Sequence, residues 1–65
     1  MEQYFYRIAQ TAEILGLSRT MAYDLVRRGE IRSVRIAGAL RVPAKAIEDY
    51  AAEIETEAAL ARSAI

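Results

Sequence analysis

Apolar and polar positions change their period along this chain, and the changes mark out its elements. Ala12, Ile14 and Leu15 form a small apolar face that ends at Gly16; Ala22, Leu25 and Val26 form a second one after Ser18. Spacings of three and four are helical, so a first helix is predicted from about Ile8 or Ala9 to Leu15. A second is predicted from Ser18 to Arg28, stopping at Gly29. Gly16 stands where a helix C-terminus needs positive φ. Ser18 is a good N-cap, and Leu17 and Ala22 have the spacing of a hydrophobic staple across it. Arg7 occupies the cap position of the first helix, where its side chain offers no acceptor, so that end is predicted to be poorly capped.

Beyond Gly29 the period becomes two. Val34 and Ile36 share one face while Ser33 and Arg35 share the other; Leu40 and Val42 repeat this with Arg41 opposed. With Ala37-Gly38-Ala39 as the connection, this reads as a β-hairpin from whose outer face Arg35 and Arg41 both project. Pro43 suits a first helical turn. Ile47, Tyr50, Ala51 and Ile54 then return at helical spacing, with Ile47 and Tyr50 expected to close the core. At the other end, Tyr4-Phe5-Tyr6 is expected to be extended, with one or two of its rings covering the core. The fold class is therefore mostly α with a small β-hairpin, a winged helix-turn-helix with a two-stranded wing and a C-terminal helix.

Projecting the second helix at about 100° per residue puts Ala22, Leu25 and Val26 inside and Thr20, Tyr23, Asp24 and Arg27 outside, flanked by Arg19 and Arg28. Guanidinium groups suit phosphates or guanine edges, and hydroxyls bond either. The candidate DNA-binding residues are therefore Ser18, Arg19, Thr20, Tyr23, Asp24, Arg27 and Arg28 on the helix and Arg35 and Arg41 on the wing. The plainer alternative is a solvated face on which Asp24 pairs with Arg27 or Arg28.

Composition narrows the chemistry. The 65 residues include no cysteine and no histidine. Disulfides, zinc sites and Cys- or His-based catalysis are thereby excluded, and no catalytic residue, metal or cofactor is expected. No apolar run has the length of a membrane span, and the N-terminus lacks the pattern of a signal peptide, so a cytoplasmic location is expected. The formal net charge is zero, but it is segregated. Residues 1–45 carry eight basic and four acidic side chains, a balance of +4; residues 46–65 carry one and five, a balance of −4. One basic working surface and one acidic terminal helix follow.

The order helix, turn, helix, hairpin, helix resembles the small winged helix-turn-helix domains of phage and plasmid excisionases and related MerR-like regulators. The matching motifs are AEILGLS (12–18), AYDLVRRGEI (22–31), VRI (34–36), and LRVP followed by AIEDY (40–50). The resemblance implies a non-enzymatic protein that binds double-stranded DNA, with the 18–28 helix in the major groove and the hairpin against the backbone or minor groove. It further implies a recombination directionality factor that bends DNA and redirects a phage integrase toward excision, working in a bacterial host at the nucleoid. A MerR-like transcription regulator demands the same surface. An interaction module that never touches nucleic acid is the alternative of another class, favoured by the zero net charge and by Asp24.

The domain proper is expected to span 1–55, with 56–65 a helical extension or frayed tail. Ile47, Ala51, Ile54, Ala58, Ala61 and Ile65 recur at heptad-like steps. Their expected use is weak self-association, expressed as cooperative assembly on DNA.

Overall fold

The computed structural model describes residues 3–63. Strand β1 (Phe5–Tyr6) leads into helix α1 (Ile8–Leu15) and then α2 (Arg19–Arg27). Strands β2 (Val34–Ile36) and β3 (Ala39–Pro43) follow, and helix α3 (Ala44–Ser63) ends the described chain.

Local chemistry sets the helix ends. The Arg7 side chain accepts no cap hydrogen bond, but its backbone N–H donates to Gln10 Oε1 at 2.9 Å, the return half of a capping box. Thr11, the one buried polar side chain among the described residues, donates its hydroxyl to the Arg7 carbonyl at 3.0 Å. At the other end of α1, Gly16 has φ 72°, and the N–H groups of Gly16 and Leu17 bond the carbonyls of Glu13 and Ala12. That is a Schellman closure. It is repeated after α2, where Gly29 has φ 79° and the N–H groups of Gly29 and Glu30 bond Val26 and Leu25. Between the helices Ser18 caps α2, its Oγ accepting from the Met21 N–H at 3.1 Å.

The sheet has three strands rather than the two expected, in the order β1-β3-β2, both pairs antiparallel. Phe5 stands opposite Pro43 and Tyr6 opposite Val42. Of the aromatic run one ring covers the core: Tyr6 is buried with Val42, while Phe5, on the other face, and Tyr4, before the strand, are exposed. Pro43 ends β3 and does not lie in the first helical turn; α3 starts one residue later, where the Ala44 N–H bonds the Tyr4 carbonyl at 2.8 Å.

The core is Tyr6, Ile8, Ala12, Ala22, Leu25, Ile31, Val42, Ala46 and Ile47, with Leu15, Leu17, Val26 and Tyr50 packed at its margin. Ile31 is fully buried although it follows α2 in irregular chain. The Schellman turn at Gly29 reverses the backbone and returns this side chain to the core. The first turns of α3 close the core through Ala46 and Ile47, but residues 52–62 are exposed, with Ile54 at 44% and Leu60 at 66%. Of the heptad-like seam, Ile65 lies outside the described residues.

Candidate nucleic-acid interface

With both ends of α2 closed by hydrogen bonds, the helix presents a defined outer face. Ala22 and Leu25 are buried and Val26 half-buried, while Arg19, Thr20, Tyr23 and Arg27 are exposed, as the projection predicts. Ser18 is exposed at the start of the helix, with its oxygen engaged in capping.

Asp24 is half-buried and paired on both sides. Its Oδ2 lies 3.1 Å from Arg28 Nε and its Oδ1 3.7 Å from Arg27 Nη2. Arg28 also meets Glu30, Nη2 to Oε2, at 3.3 Å. The two adjacent arginines therefore differ. Arg28 sits between two carboxylates, whereas Arg27 has one long contact and a side chain 75% exposed. Sequence spacing foresees the pairs with Asp24, but it carries no signal for Glu30, which the turn at Gly29 brings back alongside.

The wing departs from expectation in its register. Val34 pairs with Arg41, Arg35 with Leu40, and Ile36 with Ala39. Directly paired residues point to the same side of a sheet, so Arg35 shares a face with Leu40 and Val42, and Arg41 shares the opposite face with Val34. Arg35 and Arg41 do not project together. The cause is the turn: Ala39 belongs to β3, so only Ala37 and Gly38 connect the strands, with φ 50° and 82°. Positive φ at both positions is what a type I′ two-residue turn requires. A three-residue connection would have put both arginines outward; removing one residue inverts the phase of one strand against the other.

Arg41 is half-buried and its Nη1 donates to the Leu40 carbonyl at 2.8 Å; Arg35 is exposed, and its Nη1 donates to the Gly38 carbonyl at 3.2 Å. The Arg35 face is the one turned toward the helices. An open cleft of about 490 Å³ runs between α2 and the wing, lined by Ile8, Tyr23, Val26, Arg27, Ser33 and Leu40. Tyr23 and Arg27 from the helix thus meet Ser33 and Leu40 from the wing across one concavity. Ser33 and Leu40 were not singled out from sequence; the parity of a two-residue turn is the signal that finds them.

The described residues contain no group of acidic side chains arranged to hold a metal ion, and no helix long and apolar enough to cross a membrane.

Two helices joined by a capped turn, a β-hairpin beside the second, and a shared cleft between them define a winged helix-turn-helix domain. A family model described as a helix-turn-helix domain matches residues 5–54. The chain belongs to that family, whose shared property is DNA binding. It is also similar to a probable excisionase from Saccharopolyspora erythraea, 51% identical over 47 residues that make up 72% of this chain and 48% of the relative. The chain thus spans about half the length of that curated relative. No solved structure matches it.

Proposed function

We propose that this chain is an excisionase-type DNA-binding protein that seats α2 in a major groove and steers an integrase toward excision. The observation that carries the reading is the outer face of α2, where Arg19, Thr20, Tyr23 and Arg27 stand exposed on a helix fixed at both ends. Its similarity to the probable excisionase supports the same direction. Arg27 and Tyr23 read base edges, Arg19 and Thr20 contact phosphates at the helix start, and Ser18 holds that start in place.

The strand that separates the major from the minor groove passes over the cleft between α2 and the wing. Ser33 and Arg35 meet it from the wing side, and Arg41, on the far face, contributes less. Such a protein works by positioning and bending DNA and performs no catalysis. Its place of work is the bacterial cytoplasm, at the nucleoid. The DNA-binding unit is residues 1–55, and the extension 56–65 mediates weak, cooperative contacts between neighbouring copies.

Footprinting on attachment-site DNA, with and without integrase, tests this reading. Protection by the chain that changes integrase occupancy is the expected result. Protection with no effect on integrase would instead identify a transcription regulator, and no protection of any duplex would identify a protein-interaction module.

A further inference from the structure

The face of α2 on which the proposed function rests carries one side chain of the wrong sign for DNA. Asp24 lies among Thr20, Tyr23 and Arg27 and holds Arg28 at 3.1 Å and Arg27 at 3.7 Å. Folding gives little reason for it. Ion pairs at i,i+3 and i,i+4 spacing with this much exposure add little to stability. The ends of α2 are already closed by Ser18 and by the turn at Gly29. Against DNA the same carboxylate has a large effect, because a groove-facing helix brings it within a Debye length of several phosphates.

We propose that Asp24 is a specificity-determining residue that suppresses binding to arbitrary sequence. A phosphate approaching Arg27 must also approach the Asp24 carboxylate, which repels it. A base edge carries only partial charges and meets far less repulsion, and a guanine offers the guanidinium two acceptors in place of one long contact. Arg27 is therefore free to engage bases and discouraged from engaging backbone. Arg28, shared between Asp24 and Glu30, is drawn away from the backbone and acts as a positioning residue for the carboxylate. The inference rests on the DNA-binding reading of α2 and adds to it a division of labour between two adjacent arginines.

The test is the full chain and its Asp24→Asn variant, titrated over a range of salt against two probes. One is the duplex that the wild type enriches from a randomised library; the other is a mixed-sequence duplex. Asp24→Asn is expected to raise affinity for the mixed-sequence duplex about fivefold, as one added phosphate contact does near physiological salt, and to steepen the salt slope by about one. Affinity for the enriched duplex rises less, so the ratio between the two falls. Asp24→Glu, which keeps the carboxylate, retains the wild-type ratio. Glu30→Gln, which loosens Arg28 without removing the charge from the face, shifts the ratio less than Asp24→Asn.

An unchanged ratio and slope in a folded Asp24→Asn chain overturns the proposal while leaving the DNA-binding reading intact. Failure of Asp24→Asn to fold makes Asp24 a structural residue and overturns it too, as does a wild type that enriches no sequence. A wild type that binds neither duplex removes the DNA-binding reading and this inference with it.

Discussion

Arg35 stands directly opposite Leu40 across the hairpin, and this pairing decides which wing arginine shares the face turned toward α2. Leu40 lines the cleft beside Tyr23 and Arg27, and Val42, two residues on, is fully buried. Arg35 therefore belongs to the inner, helix-side face of the wing, and Arg41 to the outer face with Val34.

Replacing Arg35 by Ala should weaken binding to every duplex and reduce the salt slope by about 0.9, the share of one phosphate contact. Arg41→Ala should change both much less. Salt-dependent titrations of the two variants compare them directly. Equal losses would mean that the DNA wraps the wing on both faces.

On α2, Arg27→Ala should cost about 1–3 kcal/mol on the preferred sequence and relax selectivity at one base position. Arg19→Ala should weaken all sequences alike. Binding profiles over a library of single-base variants separate these outcomes. Wild-type profiles for both Arg27→Ala and Tyr23→Ala would show that another element reads the DNA.

Ala37 has φ 50° in the turn of the wing, a conformation that disfavours any side chain with a Cβ by roughly 1–2 kcal/mol. Ala37→Gly relieves that strain at some entropic cost to the folded state, so a net gain of about 0.5–1 kcal/mol is expected, read as a higher midpoint in thermal or urea unfolding. No gain would indicate that the turn is held by its strands against its own preference.

Ile31→Ala removes a fully buried side chain and should cost about 2–5 kcal/mol. A domain this small has only about 3–5 kcal/mol to lose. Circular dichroism should find the variant largely unfolded at growth temperature, whereas the volume-conserving Ile31→Leu should fold.

Truncation after Glu55 removes residues that are exposed up to Arg62, so the melting of the remaining domain should change little. Sedimentation and binding to multi-site DNA should show less cooperativity than the full chain. Unchanged cooperativity would assign assembly to the domain itself.

Much of this architecture is legible in the sequence because local chemistry decides it. Gly16, Ser18 and Gly29 place the ends of two helices, and the spacing of Ala22 and Leu25 sorts the inner from the outer face of α2. What sequence patterns miss depends on non-local pairing. Strand β1 is two residues long and exists only because Tyr6 and Phe5 find Val42 and Pro43. Period-two alternation shows that Arg35 and Arg41 each oppose an apolar neighbour, but their mutual phase rests on whether Ala39 is turn or strand. Ile31 escapes any periodicity because a turn, not a helix or strand, returns it to the core. The candidate site follows the same division: the α2 face can be read from spacing, while the cleft with Ser33 and Leu40 requires the register.

Helix α3 is 20 residues long, about 30 Å at 1.5 Å per residue, in a molecule whose longest dimension is 47 Å. Its acidic stretch, from Glu48 to Glu57, leads away from a body of opposite sign. A chain with no net charge is scarcely drawn toward DNA as a whole, but one with separated ends experiences a torque in the duplex's field. On the DNA-binding function proposed above, such a molecule is expected to be turned before it is captured, with its basic part inward and its last helix trailing. Reversing Glu53, Glu55 and Glu57 to lysine would raise the overall charge and yet blunt this alignment, so attraction and orientation are separable quantities in this protein.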